Sequence, residues 1–374
     1  MNMSKKYSIF LSALFCAFIG GMAVVSLLLP DAEFSPLENR YLQKPPKLSA
    51  ETLSDGTFME DAEDYVSDHI LGRDFWVAAK AWSERLSGKK ENNGVYFAAQ
   101  DTLINRVDTP DPAKLERDMG YLDALVGNVS VPVYFGLIPS AAAVWSERLP
   151  AGAPTADERG IIDGLYFSTG ANVIELYDAL SAHSGEDIYY RTDHHWTSLG
   201  AFYGANAVFE AMGLEPLVLS DYRPVTVTDQ FNGTSFSTSG VRWLPPDTIE
   251  TYIPNEGIRV TSWFKGTPEA GSMYVDSYLD VKDKYSYFLG GRQPLCVVEK
   301  EGSGGPRVLL IRDSYSDCLA PFLTERFSEV HLLDPRDNLS SIKGYVEENS
   351  IDAVIVLYSF SNFATDGNLF LLGR

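Results

Sequence analysis

The carboxyl-terminal quarter of the chain alternates in a way that leaves few folds open. From Arg307 onward, "RVLLI", "EVHLL" and "DAVIVLY" are short apolar runs, separated by the helix-like stretches "YSDCLAPFLTERF" and "NLSSIKGYVEENS". Unbroken apolar runs suit strands covered on both faces, and strands that alternate with helices join as parallel βαβ units. The same texture appears upstream. "VPVYFGLI" follows the helix-like "DPAKLERDMGYLDALVG", and "NVIEL" precedes "SLGAFYGANAVFEAMG", a helix expected to close on Gly213. "GVYFAA" reads as one more strand. The expectation is an α/β domain over residues 92–374, with a mostly parallel sheet and helices on both faces. Residues from about 217 to 298 are rich in Thr, Tyr, Gly and Pro and read as a β-rich insertion.

The other end of the chain carries a different signal. Lys5 and Lys6 precede an uncharged apolar run from Ile9 to Leu29. At about 1.5 Å per residue, such a run spans a hydrocarbon core of roughly 30 Å. Asp31, Glu33 and Glu38 follow before the first base, Arg40. Lysines before and acids after predict an uncleaved signal-anchor over residues 1–30, a single pass, with the rest of the chain outside the cytoplasm. A cleaved signal peptide is the rival reading, but the run is long and has no A-x-A-like site before Pro30. Cys16 lies well inside the run, which argues against lipoprotein processing. Residues 31–91 then read as the connector "SPLENRYLQKPPKLS" and a helical arm from about Ser54 to Ser87. In that arm Phe58, Ala62, Tyr65, Val66 and His69–Ile70 recur every three or four residues.

A net charge of -21, from 51 acids against 30 bases, excludes the basic stripe that a nucleic-acid partner requires. The three cysteines, Cys16, Cys296 and Cys318, form no CxxC, so a thiolate zinc site is not expected, and pairing of the last two stays open.

Two stretches carry reactive groups. In "RVLLIRDSYSD", Asp313 and Ser314 stand where a strand must turn into a helix, and parallel sheets bind ligands at the carboxyl ends of their strands. A serine there gains backbone N–H groups at a helix N-terminus for an oxyanion. Service as an N-cap by Asp313 or Ser314 fits the same residues. In "DIYYRTDHHWTSLGA", Asp193, His194 and His195 are consecutive. If that segment is extended, Asp193 and His195 point to one side, while His194 and Trp196 turn into packing. A serine nucleophile needs a histidine base and a carboxylate that orients it, which Asp193 and His195 would supply. Two other readings compete: a hydrogen-bonded structural His195, and a metal site in which His183 and Asp187 lie upstream. Cytoplasmic DHH phosphoesterases carry such a triplet, but they add aspartate motifs that are missing here. Asp68, His69 and Arg73 read as exposed ion-pairing groups of the arm. Arg336 in "DPR" suits either an anionic sugar or a structural salt bridge, and Tyr189, Tyr190 and Trp196 suit either a sugar ring or the core.

"TDHHW", followed after about 120 residues by "RDSYS", resembles the DHHW family, which is related to the alginate O-acetylation proteins AlgJ and AlgX. "SPLENR", "YVSDHILGRD", "NNGVYF", "YFLGGRQPL", "DPRDNL" and "VIVLYSFSNFATD" extend the resemblance over most of the chain. It implies an SGNH-hydrolase-like, flavodoxin-like domain in which Ser314 is the nucleophile, His195 the general base and Asp193 its orienting partner. That order is circularly permuted relative to ordinary SGNH esterases. Arg312 departs from the pattern, which usually has glycine there, and the usual oxyanion asparagine is not identifiable. The Ser314 N–H is one expected oxyanion donor, and Gly290–Gly291 are a second candidate that equally fits a tight turn. The implied activity is O-acetylation of a cell-surface or secreted bacterial polysaccharide through an acyl-enzyme, without metal or cofactor. A membrane-bound O-acyltransferase partner would supply the acetyl group. An acetyl esterase with the same triad and a non-catalytic cell-wall or glycan-binding protein are the alternatives.

Overall fold

In the computed structural model, which describes residues 2–38, 40–264, 266–338 and 340–374, the chain divides into two compact units. Asn39 of "SPLENR" and Leu339 of "DPRDNL" lie outside the described residues.

The first unit runs to Lys89 and includes Gly240–Arg242. It opens with helix α1 (Asn2–Leu28), of which Lys5–Leu28 is long and apolar enough to cross a membrane. The arm is two helices rather than one, α2 (Thr57–His69) and α3 (Arg73–Leu86). Ile70 leaves helical geometry and Gly72 adopts a left-handed φ of 69°, so the chain folds back at "ILG" despite continuous apolar spacing. Asp68 is not exposed as expected. It is 7% accessible because Arg40 and Arg73 close over it.

The second unit spans Lys90–Ser239 and Trp243–Arg374. Strands β1 (Glu91–Asn92), β2 (Val95–Ala98) and β3 (Thr102–Asn105) form a small antiparallel sheet of their own. Asn93 and Gly94 both take positive φ, the signature of a tight hairpin turn, so "GVYFAA" pairs locally instead of entering the large sheet. That large sheet is built from β4 (Val133–Ile138) and β5 (Asn172–Val173), and later from β8 (Ile258–Phe264), β9 (Thr267–Gly271), β10 (Leu295–Lys300), β11 (Arg307–Arg312), β12 (Glu329–Leu333) and β13 (Ala353–Ser359). Between these two groups, β6 (Val225–Phe231) and β7 (Asp247–Thr251) pair only with each other.

The strand order is β9-β8-β10-β12-β11-β13-β4-β5. From β12 to β5 all pairs are parallel, while β10, β8 and β9 join antiparallel. The sheet is therefore mixed. The insertion does not stand apart, because the apolar β10 extends the buried rows: Leu295 pairs with Leu333, and Leu333 with Ile311. β13 is buried at every position, as a strand covered on both faces must be.

Four helices matter here: α4 (Pro112–Asn128), α5 (Glu158–Ser168), α6 (Ser198–Ala211) and α7 (Ile342–Glu348). The chain steps outward from β11 to β12, then back past β11 to β13. Right-handed crossovers in opposite directions place their connections on opposite faces. Accordingly α7 contacts α4 on one face. On the other, α6 packs on the β11–β12 connection through Phe202–Phe322 and Phe209–Phe327, with ring centroids 5.7 Å apart in each pair. α6 closes at Gly213, with φ 69°, as expected. "YSDCLAPFLTERF" is not one helix: a 3-10 turn at Ser314–Ser316 runs into it, and a four-residue helix, Ala320–Leu323, follows. Cys296 and Cys318 are buried free thiols.

The carboxyl ends of β4, β11, β12 and β13 share one edge. There Glu158, the first residue of α5, accepts hydrogen bonds from the Ser140 N–H (2.9 Å) and hydroxyl. Burial lifts its carboxyl from 4.5 to about 7. A folded-state value above the unfolded one means that protonation favours the fold. The contribution is complete below about pH 4.5 and is lost as pH rises through 7. Glu158→Gln should remove a loss of about 3 kcal/mol between pH 4.5 and 8, checked by urea unfolding across that range.

Candidate active site

His195 arrives on a hairpin, not on the extended segment that its spacing suggested. Tyr189 bridges Trp196, the Tyr190 N–H donates to the His195 carbonyl (3.2 Å), and the Thr197 N–H donates to that of Ile188 (2.9 Å). Residues 191–194 form the turn, and Asp247 pins it. Asp247 accepts the Thr192 N–H at 2.8 Å, the Thr192 hydroxyl at 2.6 Å and the Arg191 Nε at 3.1 Å.

Within the turn, Asp193 Oδ1 accepts the His195 backbone N–H at 2.9 Å and lies 2.6 Å from the ring Nδ1. A side-chain oxygen that accepts the N–H two residues on closes an Asx turn. The turn therefore does what strand alternation was expected to do. Asp193 Oδ2 accepts the Thr234 N–H (2.7 Å) and hydroxyl (2.9 Å). Burial opposes ionisation of this carboxyl. The facing imidazoles of His194 and His195 and these hydrogen bonds outweigh it and hold the group far below the usual carboxylate range.

Ser314 comes from the turn after β11. The N-cap reading falls to its neighbour: Asp313 Oδ1 accepts the Tyr315 N–H at 3.0 Å. Asp313 Oδ2 accepts the Ser359 N–H (2.9 Å), the Ser359 hydroxyl (2.7 Å) and Asn362 Nδ2 (2.8 Å), tying the serine turn to the end of β13. Ser314 is left uncommitted to the cap, and its Oγ lies 2.8 Å from His195 Nε2. The His195 ring stacks on Tyr285, with centroids 3.8 Å apart and planes at 11°, and the Tyr285 hydroxyl donates to the Ser314 carbonyl at 3.2 Å. Two further bonds join hairpin and serine turn: Trp196 Nε1 donates to the Tyr315 carbonyl (2.8 Å), and the Tyr315 hydroxyl donates to the His194 carbonyl.

Arg312 stands where a glycine was expected. Its φ is not positive, so the turn has no need of glycine, and its fully buried guanidinium lies 2.8 Å from Asp317 Oδ1. Gly290 and Gly291 take left-handed φ of 79° and 81° in a tight turn, where the Gly291 N–H donates to the Phe288 carbonyl. Arg336 grips Asp334 through two bonds, of 2.8 and 2.6 Å. Tyr189, Tyr190 and Trp196 are buried core residues.

The ligand-bearing atoms of Asp193, His194 and His195 lie within 4.8 Å of one another. Both Asp193 oxygens and both His195 nitrogens make the hydrogen bonds above, and His194 Nδ1 lies 2.6 Å from the Thr234 hydroxyl. His183 is elsewhere, stacked on Tyr203 and 2.7 Å from Glu186. Carboxylate, imidazole and hydroxyl thus lie in one hydrogen-bonded series, an arrangement that can activate a weakly nucleophilic serine.

Thr234, Asp247 and Tyr285 support this series, and the sequence reading named none of them. Gly233 belongs with them, because a Cβ there would stand 2.2 Å from Asp193 Cβ. "FNGTS" was the available signal, a small residue followed by a hydroxyl, but only the tertiary fold brings it to Asp193.

Fold and site together define an α/β protein in which a serine, a histidine and an aspartate form one hydrogen-bonded series at the carboxyl edge of the sheet. The chain belongs to the DHHW family: the family model described as DHHW protein matches residues 124–333. The crystal structure of a DHHW family protein from Eubacterium siraeum superposes with a TM-score of 0.67 at 26% identity, covering 75% of this chain and 95% of that one. Bacillus cereus PatB1, solved with a sulfonyl adduct, matches with a TM-score of 0.62 at 21% identity, over 75% of this chain and 100% of that one. The O-acetyltransferase domain of Pseudomonas putida AlgJ is more distant, with a TM-score of 0.45 at 15% identity over 73% and 93% of the two chains. No curated protein matches the chain significantly by sequence.

Gly233→Ala should push the Asp193 carboxylate off His195. Labelling of Ser314 by phenylmethylsulfonyl fluoride, followed by intact mass, should slow at least about tenfold, the equivalent of roughly 1.4 kcal/mol in the barrier. Thermal unfolding should report a loss of about 1–3 kcal/mol.

Proposed function

We propose that this protein is an extracytoplasmic O-acetyltransferase of a cell-surface or secreted polysaccharide, working through an acetyl-serine. The observation that carries the reading is the hydrogen-bonded series Asp193–His195–Ser314. Ser314 Oγ attacks the acetyl carbonyl while His195 Nε2 takes its proton, and Asp193 stabilises the imidazolium that forms. The Ser314 backbone N–H faces the developing oxyanion. The tetrahedral intermediate collapses, His195 returns the proton to the leaving oxygen, and acetyl-Ser314 remains. A sugar hydroxyl, deprotonated by His195, then attacks the acetyl-enzyme and frees Ser314.

Acetyl rather than another acyl group rests on the resemblance to alginate O-acetylation proteins. The sulfonyl adduct of PatB1 fits an activated hydroxyl on the same fold. Helix α1, with Lys5 and Lys6 before it and acids after it, supports an anchored enzyme whose second unit lies outside the cytoplasm. A donor made inside the cell then requires a membrane-bound O-acyltransferase partner. Hydrolysis of the same ester is the second reading, since the relay serves water as readily as a sugar hydroxyl.

Incubation with 4-nitrophenyl acetate should leave an acetyl group on Ser314, detected by intact and peptide mass. Ser314→Ala should abolish the adduct. Asp193→Asn should slow its formation by about 10⁴-fold. An adduct that survives Ser314→Ala sinks the mechanism, and no adduct on the native chain favours a non-catalytic glycan-binding protein. Faster release with added oligosaccharide than in water separates transferase from esterase.

A further inference from the structure

The relay leaves "SPLENR" and "YVSDHILGRD" unexplained, and both meet in the first unit. Glu38 Oε2 accepts Arg40 Nε (2.8 Å) and Arg73 Nη2 (2.7 Å). Asp68 Oδ2 accepts Arg40 Nη1 (2.8 Å) and the Gln43 N–H (2.8 Å), and Asp68 Oδ1 lies 3.4 Å from Arg73. Glu38 and Asp68 thus balance Arg40 and Arg73 around the α2–α3 turn, and the more exposed Asp74 lies 3.9 Å from the same Arg73. A group of ions so neutralised costs less to bring near a low-dielectric phase than any member alone.

The turn itself is apolar and open. Ile70 and Leu71 are each 37% accessible, Phe75 66% and Trp76 43%. Its position is fixed against the anchor. The Leu71 N–H donates to Ser26 Oγ at 2.9 Å, and Val66 and Ile70 face Ile19 and Met22 across a small cleft. Tyr65 OH donates to Asp31 at 2.9 Å, just past the end of α1. Ser26 lies inside the apolar stretch Lys5–Leu28. It is about 14 Å from the midpoint of that stretch, at the rim of a hydrocarbon core roughly 30 Å thick. A turn bonded to Ser26 therefore sits at the bilayer boundary, the level that aromatic side chains favour.

We infer that the Ile70–Leu71 turn, with Phe75 and Trp76, is a second membrane contact: a foot embedded in the interface of the bilayer that α1 spans. Its occupant is lipid, because the bond to Ser26 sets the depth of the turn. The charge cluster of Glu38, Arg40, Asp68 and Arg73, with Asp74 paired to Arg73 at its exposed side, lets the turn sink without burying an unpaired ion. This holds whether or not the relay is catalytic.

The test uses the full chain, one copy per phosphatidylcholine nanodisc, with acyl chains either plain or brominated. Bromine quenches tryptophan only at close range, and Trp145 and Trp196 are fully buried. Brominated lipid should quench part of the native emission. Trp76→Phe should lose most of that quenching, and so should Leu71→Glu, with unchanged circular dichroism. Equal quenching in native and Trp76→Phe chains overturns the proposal. Quenching that changes only when two copies share a disc also overturns it, by identifying a second copy as the occupant.

Discussion

Both oxygens of one buried carboxylate hold this site together. Asp193 Oδ1 orders the backbone and the ring of His195 at once, and Oδ2 captures the Thr234 N–H and hydroxyl. An ion at 3% exposure survives only if its desolvation is repaid in hydrogen bonds, so every group near it is constrained. Gly233 is glycine because nothing larger fits against that carboxylate. The hairpin turn is tight because the same oxygen closes it.

Asp313 plays the equivalent part on the nucleophile's side. It caps the serine turn through one oxygen and binds Ser359 and Asn362 through the other. The edge of the parallel strands thus carries two buried carboxylates with different tasks. One orients the His195 ring, and the other fixes the loop that presents the Ser314 hydroxyl. Between them, the stacked Tyr285 keeps the imidazole in one plane.

Much of this was legible in the sequence wherever local chemistry decides the outcome. Apolar runs such as "RVLLI" and "DAVIVLY" became adjacent parallel strands because nothing but a doubly covered sheet suits them. The spacing of Asp193 and His195 put the two on one side, and the structure brings them together through an Asx turn rather than a strand, since both set residues two apart on one side. What failed was what only tertiary contacts decide. "GVYFAA" joined a local hairpin, and β8–β10 joined the main sheet. The expected helix after Ser314 shrank to a 3-10 turn, which leaves little helix dipole to draw an oxyanion. Asp68 is buried because Arg40, far away in the chain, and Arg73 close over it.

Trp196 and Tyr315 tie together loops that lie 119 residues apart, and every member of the relay depends on that closure. Long-range contacts form late, after their loop entropy has been overcome. The hydrogen bond between Ser314 and His195 consequently exists only once both loops are in place. In the proposed mechanism, folding itself is then the step that activates the serine.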